Sequence, residues 1–474
     1  MKFTTLSHAG LLVETRDCSL LIDPWLVGSC YWRSWWNYPP PQRELIDKVK
    51  PDFIYLTHLH WDHFHGISLK RFDPATPILV PRTHFTRMVD DMNGIGFDDV
   101  RELPHGKSMR LAGSTVVTSY QFGLMLDSAL VIDTGEGVLL NANDCKVMGL
   151  PLRQITARHP QIDFVFKSHS SASPYPYCVS SEFPDDLTQR SNLDYLQEFL
   201  AFAECVNARY AIPFASNHCF LHRETRQFNP TAVSPLDVKN YFDRNRSGRS
   251  ECAVMLSGDS WSSDTGFSIA ATDYLTNRNE HIAELEQINA KALNEFYEKE
   301  DRTEPDWKSF NRYFTGLFAA MPPGFKTLMP ARVLFHVFGA RTEYWLLDFA
   351  ARTIMSADAD TACDFVLSVN ARVLRDCCRK RMFSVFAAGK RVHYHLKTKS
   401  ALKYFNRFNT VMDMYESDYF PLRKMASRRF ISVWARKWRE ILFYGRAAAS
   451  MAVTRKMPRP IDFLKPRIRQ ENPT

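Results

Sequence analysis

The sequence predicts an α/β protein with a smaller C-terminal α+β domain and a basic helical tail. Short apolar runs of strand length alternate with helical patterns up to about residue 270, where the pattern changes. The chain has 474 residues, enough for two or three domains, and 45% of them are apolar. We therefore expect a main domain over 1–270, an accessory domain over 271–422 and the tail over 423–474.

The positive charge of the chain is concentrated in the tail. The net charge is +8, yet the residues from Arg423 onward contain 14 Lys and Arg against 3 Asp and Glu. The preceding residues are therefore slightly acidic in sum. This distribution argues against a nucleic-acid-binding surface spread over the whole protein.

Three compositional features indicate the compartment. The ten cysteines have no disulfide-type spacing, no apolar run approaches 18 residues, and the N-terminus lacks the apolar segment of a signal peptide. We expect reduced thiols and a cytoplasmic protein.

The first 25 residues predict two strands that run edge to edge. The strands end at loops that contain His8 and Asp23. Two interpretations of these residues stay open. They either border a functional site, or His8 caps a turn while Asp23 binds backbone amides near Pro24.

The next loop, from Cys30 to Pro41, is rich in aromatic side chains and contains one arginine. Aromatic faces and a guanidinium can stack on a sugar or base and pair with a phosphate or carboxylate. The alternative is a loop that packs its rings onto the domain. The first interpretation makes these side chains substrate-binding: Trp32, Arg33, Trp35 and Trp36.

The strand from Phe53 to Leu56 leads into a dense set of candidate metal ligands. His58 and His60 are two residues apart, so they point the same way on an extended chain. Asp62 and His63 follow where the chain must turn. Imidazole and carboxylate groups together suit zinc, iron or manganese.

This His-x-His-x-Asp-His pattern resembles the metallo-β-lactamase superfamily. The resemblance implies an αββα sandwich with one or two metals at the end of a strand. It also implies that His58 and His60 bind one metal, and that Asp62 and His63 bind the other. His65 lies outside the motif, next to the site or at the surface.

A closer resemblance is to the CMP-N-acetylneuraminate hydroxylases. It lies in Leu21–Gly28, the Trp35-Trp36 pair, Tyr55–His60, Asn141–Cys145 and Pro213–Ala215. It implies an iron-dependent hydroxylase of a sugar or nucleotide-sugar. Those enzymes also have an N-terminal Rieske domain, which needs a Cys-x-His and a Cys-x-x-His pair. Here only Cys219 and His222 have such a spacing, so we expect a separate electron-transfer protein.

A hairpin is predicted by the Gly135–Gly137 turn between two apolar runs, and its second strand ends at Asp144. The superfamily resemblance implies that Asp144 bridges the metals and, with Asp62, acts in catalysis. The alternative is that Asp144 caps a turn.

The superfamily usually supplies a third histidine before this hairpin, but residues 106–158 contain none. Gln121, Asp127 or the more distant His169 are the candidates to replace it. Loss of an imidazole favours an oxygen-richer site for iron or manganese, or a single retained metal.

The last ligand is expected after the strand from Arg209 to Phe214, where both His218 and His222 occur. The resemblance favours His222 slightly and leaves His218 beside the metal or facing substrate. Upstream, Ser191 is a predicted N-cap of a helix.

Two helices are predicted in the C-terminal part. His281–Arg302 has apolar residues at helical spacing. Arg428–Arg439 combines aromatic residues on one face with arginines around it. This second helix either docks on the protein with a solvated face, or lies on an anionic membrane or acidic partner. From Met457 onward we expect poor order.

Three classes of function follow from these residues. The first is an iron-dependent oxygenase of a sugar or nucleotide-sugar with a separate electron donor. The second is a zinc or manganese hydrolase of a phosphoester, lactone or amide with two divalent metal ions. The third is a non-catalytic binding module, which the intact His58–His63 ligand set argues against.

Overall fold

The computed structural model describes residues 1–170, 172–184, 187, 190–454 and 459–464. The expected poor order from Met457 onward falls mainly on residues outside these ranges. None of the helices within the described ranges is both long and apolar enough to span a bilayer.

The strands of the structure fall into two large sheets, an accessory sheet and a small three-stranded sheet. In chain order they are β1 (Lys2–Thr5), β2 (Leu11–Glu14), β3 (Ser19–Ile22), β4 (Ser29–Cys30), β5 (Trp35–Asn37), β6 (Phe53–Tyr55), β7 (Ile78–Pro81), β8 (Val100–Leu103), β9 (Ser108–Ala112), β10 (Thr115–Phe122), β11 (Asp127–Asp133), β12 (Val138–Asn143), β13 (Phe164–Lys167), β14 (Val179–Ser181), β15 (Tyr210–Pro213), β16 (His218–Phe220), β17 (Glu251–Cys252), β18 (Ser260–Ser262), β19 (Gly266–Ser268), β20 (Arg332–Phe338), β21 (Glu343–Asp348), β22 (Thr353–Ala357), β23 (Phe365–Asn370) and β24 (Val392–Leu396).

The helices cover the sheets and form the tail. They are α1 (Arg43–Ile46), α2 (Gly66–Leu69), α3 (Arg87–Gly94), α4 (Gly149–Arg158), α5 (Asn192–Val206), α6 (Pro235–Asn245), α7 (Arg278–Asp301), α8 (Trp307–Ala320), α9 (Phe325–Leu328), α10 (Ala371–Lys380), α11 (Phe383–Ala388), α12 (Ala401–Glu416), α13 (Arg428–Arg436) and α14 (Trp438–Thr454), with 3-10 turns at Arg226–Thr231, Leu422–Ala426 and Pro460–Phe463.

Two large sheets pack face to face in the main part of the chain. The first has the order β19-β18-β1-β2-β3-β6-β7-β8, and the second has the order β17-β15-β13-β12-β11-β10-β9. Their facing apolar residues, such as Phe3, Tyr55 and Phe166, form one buried core. Burial of each large side chain stabilises the fold by on the order of 1.5–3 kcal/mol.

Helices cover the outer face of each sheet. Side chains of α1 to α3 pack on the first sheet, and those of α4 to α6 pack on the second. The layers are therefore helix, sheet, sheet and helix. The αββα sandwich implied by the sequence is confirmed.

The accessory sheet has the order β14-β24-β23-β20-β21-β22, so it includes one strand, β14, from the main part of the chain. Its core also contains Trp25, together with Tyr31 and Trp35 of the aromatic loop. The predicted domain boundaries stay predictions. Residues of both parts nevertheless form this one hydrophobic cluster, and the aromatic loop belongs to it.

Several local predictions can be compared with these elements. The hairpin is confirmed, because β11 pairs with β12 from Asp133 and Val138. Ser191 caps α5 and forms a capping box with Asp194. The first 25 residues form three strands rather than two. The single tail helix is also wrong, because α13 ends at Arg436 and α14 begins at Trp438.

Candidate metal centre

The candidate ligands lie at the carboxyl ends of strands from both sheets. β6 precedes the His58–His63 motif, and β12 precedes Asp144. β12, β13 and β15 are parallel neighbours, so the loops that contain Asp144, His169 and His218 leave the second sheet at the same edge. Loops at the carboxyl ends of parallel strands are a common location for functional sites.

His58 and His60 direct ring nitrogens at one point. His58 Nε2 lies 2.9 Å from His60 Nδ1. The other His58 nitrogen, Nδ1, lies 3.0 Å from Thr57 Oγ1, whose own proton is donated to Asp23. Nδ1 is therefore the protonated nitrogen of His58, and Nε2 keeps its lone pair for a ligand. Burial and the neighbouring His63 and His60 lower the pKa of His58 to about 3.

Asp23 orients the third imidazole of the motif. Its Oδ2 accepts a hydrogen bond from His63 Nδ1 at 2.7 Å and another from Asn143 Nδ2 at 2.9 Å. Its Oδ1 accepts from the Thr57 amide at 2.8 Å. A carboxylate that holds the far nitrogen of an imidazole in this way is typical of metal-binding histidines. Asp23 therefore borders the site.

His63 Nε2 faces two carboxylates at the centre of the cluster. It lies 3.3 Å from Asp62 Oδ2 and 3.4 Å from Asp144 Oδ2. Burial lowers the pKa of His63, but Asp62 and Asp23 outweigh this effect and hold it well above its usual value. Burial likewise raises the pKa of Asp62, but His63 and His8 hold it well below its usual range.

His8 joins this cluster from the first sheet. It is buried, and its Nε2 lies 3.0 Å from Asp62 Oδ2 without hydrogen-bond geometry. Its backbone amide donates to Asn37 Oδ1 at 2.8 Å. His8 therefore borders the site as well. A direct ligand role for His8 was not among the sequence predictions, because a single histidine after a short strand has no distinguishing pattern.

Two groups of ligand atoms result from this arrangement. One consists of His58, His63 and Asp144, and the other consists of His8, Asp62 and His63. Within each group the ligand atoms lie within 4.8 Å of one another.

Asp127 lies near His58 and His60. These three residues line a cavity of about 30 Å³ together with Arg87, Arg381 and Glu416. Burial raises the pKa of Asp127, and the nearby His60 opposes this shift.

Gln121, the other nearby candidate for the missing histidine, has different contacts. Its Nε2 donates to Leu103 O at 3.2 Å and to Ser119 Oγ at 2.8 Å, so its amide is directed into the sheet.

His169 is buried, and neither of its ring nitrogens has a well-directed hydrogen bond to a described residue. Burial and the charge of His8 lower the pKa of His169 to about 3, and Asp144 acts on it in the opposite direction. His218 stacks face to face on Trp35, with ring centroids 3.6 Å apart, and its centroid is 5.4 Å from that of His8. Both residues therefore lie beside the cluster.

His222 has contacts of another kind. Its Nε2 lies 2.9 Å from Glu300 Oε2, and its Nδ1 accepts a hydrogen bond from the Glu224 amide at 3.1 Å. Arg391 pairs with Glu300 at 2.8 Å and supplies the positive charge of this buried network. Both nitrogens of His222 are engaged away from the cluster. The choice between His222 and His218 as the last ligand stays a prediction.

His65 and the aromatic loop have contacts with protein groups. His65 is buried and caps α2, with its Nδ1 2.8 Å from Ser68 Oγ. Trp32 is buried and its Nε1 donates to Asp376 Oδ2 at 3.0 Å, and the Arg33 guanidinium lies over the Phe296 ring. Trp36 Nε1 donates to Arg33 O at 3.0 Å. These are contacts of packing, and a substrate-binding role for the loop stays a prediction.

The same loop touches the cluster through a tyrosine. Tyr31, Trp32 and Arg33 have positive φ angles of 51°, 53° and 61°. This left-handed turn directs the Tyr31 hydroxyl at Asp62, to whose Oδ1 it donates a hydrogen bond. No pattern in the sequence indicates this contact, because three successive non-glycine residues rarely adopt this conformation.

No family model matches the chain. A Mycobacterium tuberculosis protein named as a Rieske 2Fe-2S iron–sulfur protein is 27% identical over 252 residues, which are 50% of this chain and 48% of that protein. The cytidine monophosphate-N-acetylneuraminic acid hydroxylase of Mus musculus is 27% identical over 154 residues, which are 31% of this chain and 26% of that enzyme. The chain thus spans about half the length, or less, of these curated relatives.

Two of the solved structures that resemble the chain in fold are described as different kinds of protein. A metallo-β-lactamase-fold protein from Bacillus subtilis is 14% identical with a TM-score of 0.37, covering 55% of this chain and 98% of that chain. The diiron β-hydroxylase CmlA from Streptomyces venezuelae is 17% identical with a TM-score of 0.36, covering 53% of this chain and 52% of that chain. Such matches concern the fold and leave the reaction open.

Proposed function

We propose that the chain is an enzyme with two metal ions in this cluster, and that it is an iron-dependent hydroxylase. His58, His60 and Asp127 would hold one metal. Asp62, His63 and one or more of His8, His169 and His218 would hold the other. Asp144 would lie between the two metals.

The side chains fit metal ions because several buried ligand atoms lack hydrogen-bond partners among the described residues. His63 Nε2 and both nitrogens of His8 lack well-directed hydrogen bonds among the described residues. Buried polar groups are nearly always paired in folded proteins, and each unpaired one costs on the order of 1–3 kcal/mol. A cation held by Asp62, His63 and His8 would satisfy these atoms together with the Asp62 and Asp144 carboxylates.

The choice of iron rests on the position of Asp127 near His58 and His60. A carboxylate there replaces the imidazole that the superfamily pattern leads one to expect. With Asp62 and Asp144, the cluster would offer three carboxylates among its imidazoles. Mixed nitrogen and oxygen ligands suit non-haem iron better than the nitrogen-rich sites that favour zinc.

The proposed reaction is hydroxylation of a sugar or nucleotide-sugar. The partial similarity to the Mus musculus hydroxylase supports this substrate class. Bound irons would supply oxygen activation, and the electrons would come from a donor outside these 474 residues. The chain's own residues would position the metals: Asp23 holds the His63 ring, and Tyr31 holds the Asp62 carboxylate.

The alternative is a hydrolase of a phosphoester, lactone or amide with two zinc or manganese ions. The His58–His63 motif favours it equally, because the same ligands can hold metals that generate a nucleophile from water. A non-catalytic binding module is the weakest candidate, since the carboxylates and imidazoles of the cluster are complete.

Metal analysis tests the proposal. We expect two irons per chain in protein purified without added metal, with Mössbauer or optical spectra that change on reduction and exposure to oxygen. Zinc or manganese without a redox response would favour the hydrolase. A protein that holds no metal under any condition would leave the binding module.

The position of Asp127 allows a matched comparison on one strand. Asp127 and Asp133 are the first and last residues of β11, and Asp133 accepts a hydrogen bond from the Gly135 amide in the turn. We expect Asp127→Asn to lose metal content and Asp133→Asn to retain it. Equal metal content in both variants would remove Asp127 from the ligand set.

A further inference from the structure

The tail exposes an unusual share of apolar side chains. Large apolar residues that are more than a third exposed occur in its two α-helices at six positions. These are Ile431, Trp438, Ile441, Leu442, Tyr444 and Met451, with exposed fractions of 57%, 47%, 49%, 46%, 39% and 37%. Contiguous exposed apolar groups of this kind mark interaction sites in soluble proteins.

Three of the exposed apolar residues of α14 lie on one side of the helix. Trp438, Ile441 and Leu442 are at i, i+3 and i+4, and the exposed Gly445 continues the same stripe. The opposite side of α14 is docked, since Phe443 is buried against the second sheet's helical layer. The helix is therefore fixed to the protein and presents an apolar stripe outward.

Arginines surround this stripe. Trp438, Leu442, Arg439 and Arg446 of α14 line an open groove with residues of α4, which include Leu150, Arg153 and Arg158. We call this surface the α4–α14 face.

The α4–α14 face has no counterbalancing acidic residue of its own helices. Residues 149–158 and 438–454 contain a single carboxylate, Glu440. Glu440 is buried and paired with Lys437 at 3.0 Å, so it does not reach the surface. The face therefore presents arginines and apolar groups together.

We propose that the α4–α14 face binds the surface of an anionic phospholipid membrane. Apolar side chains of a docked helix would enter the interfacial region, with Trp438 at headgroup depth, while the arginines would contact lipid phosphates. This inference is independent of the reaction at the metal cluster.

Charge complementarity favours an anionic membrane over a second copy of the chain as the partner of this face. A twofold interface would place the arginines of one face against those of the other, and like charges across an interface weaken association. An anionic bilayer instead offers negative charge over the whole face, at about 1 kcal/mol per arginine near the surface. That value corresponds to about a fivefold change in binding for each arginine.

Co-sedimentation with lipid vesicles tests the proposal. We expect full-length protein to bind phosphatidylcholine vesicles containing 30% phosphatidylserine at least tenfold more strongly than pure phosphatidylcholine vesicles. Binding should weaken as salt is raised, because exposed charges are screened. Equal binding to both vesicles, or binding to neither, would overturn the proposal.

Two variants separate the apolar and the charged contributions. Trp438→Ser/Ile441→Ser/Leu442→Ser and Arg439→Glu/Arg446→Glu should each reduce binding at least tenfold. Matched controls on α7 are Ile288→Ser, at a residue that is 76% exposed, and Lys291→Glu, and both should bind like the natural chain. Equal loss in the controls would contradict the assignment to this face.

Sedimentation velocity tests whether a second copy of the chain binds this face instead. A concentration-dependent dimer that the serine variant abolishes, without any vesicle binding, would assign the face to a second copy and overturn the membrane proposal. Thermal unfolding of each variant within a few degrees of the natural chain would show that the fold is intact.

Discussion

His63 Nδ1 lies 2.7 Å from Asp23 Oδ2, although the two residues are 40 positions apart in the chain. Asp23 follows β3 and His63 follows β6, which are parallel neighbours in the first sheet. Adjacent strand ends therefore bring the carboxylate to the far side of the imidazole. The same carboxylate accepts hydrogen bonds from the amide and the hydroxyl of Thr57, so it holds the loop and the His63 ring together.

Asp23→Asn should weaken metal binding about 10- to 100-fold, because the amide no longer holds His63 in the same protonation state. The measurement is metal affinity by competition with a chelator. Asp52→Asn is the control, since the exposed Asp52 makes a comparable contact with Ser19 away from the cluster. Equal affinities in the two variants would contradict a role for Asp23.

Tyr31→Phe should lower metal affinity by about tenfold, because Asp62 loses a hydrogen-bond donor. The ring stacks on Trp61 with centroids 5.8 Å apart, and this contact remains in the variant. The free energy of unfolding should therefore fall by only about 1–2 kcal/mol. Tyr38→Phe removes a hydroxyl that donates to Tyr274 O at 2.6 Å and serves as the comparison. Metal loss in both variants would indicate a general structural effect.

His222→Ala should reduce the free energy of unfolding by about 1–3 kcal/mol and leave the metal content unchanged. The reason is that Glu300 loses one of its two buried partners, Arg391 being the other. His218→Ala should instead reduce the metal content. Denaturant unfolding and elemental analysis check both expectations, and metal loss restricted to His222→Ala would reverse the assignment.

Lys390 should make stability depend on pH. It is buried, its Nζ donates to Ser173 O at 2.8 Å, and burial lowers its pKa from 10.5 to about 8. Between pH 8 and 10.5 the unfolded chain therefore binds the proton more strongly than the folded chain. The free energy of unfolding should rise with pH in this window, by about 2 kcal/mol up to pH 9.5.

Lys390→Met should remove this part of the rise, as measured by denaturant unfolding at pH 7.5 to 9.5. Lys167, whose pKa burial also lowers to about 8, keeps its own contribution in the variant. An unchanged pH dependence would show that Lys390 titrates in the folded protein as it does in solution.

The sequence predicts the parts of the cluster that depend on local pattern. The spacing of His58 and His60 after a buried strand, and the position of Asp144 at the end of a hairpin, follow from strand periodicity and turn residues. Parallel strand order then explains why these loops meet at one edge. The layers of the sandwich follow instead from the resemblance of the His58–His63 motif to the metallo-β-lactamase superfamily.

The remaining contacts depend on how distant segments pack. Nothing local distinguishes His8 from any other histidine after a strand, and its approach to Asp62 depends on the pairing of β1 with β2 and β18. His222 shares a loop with His218, but its neighbours on α7 and near β24 direct it elsewhere. The orientation of Tyr31 depends on a left-handed turn that no pattern in the sequence predicts.

The strand β14 has a consequence for biosynthesis. It consists of Val179–Ser181 and pairs in parallel with β24 near the other end of the chain, at Tyr394–Leu396. On the ribosome, this segment emerges about two hundred residues before its partner. The first half of the chain therefore cannot complete its sheet contacts until β24 has been synthesised. The aromatic loop that contacts Asp62 likewise acquires its contacts with Asp376 and Gly389 only late in translation.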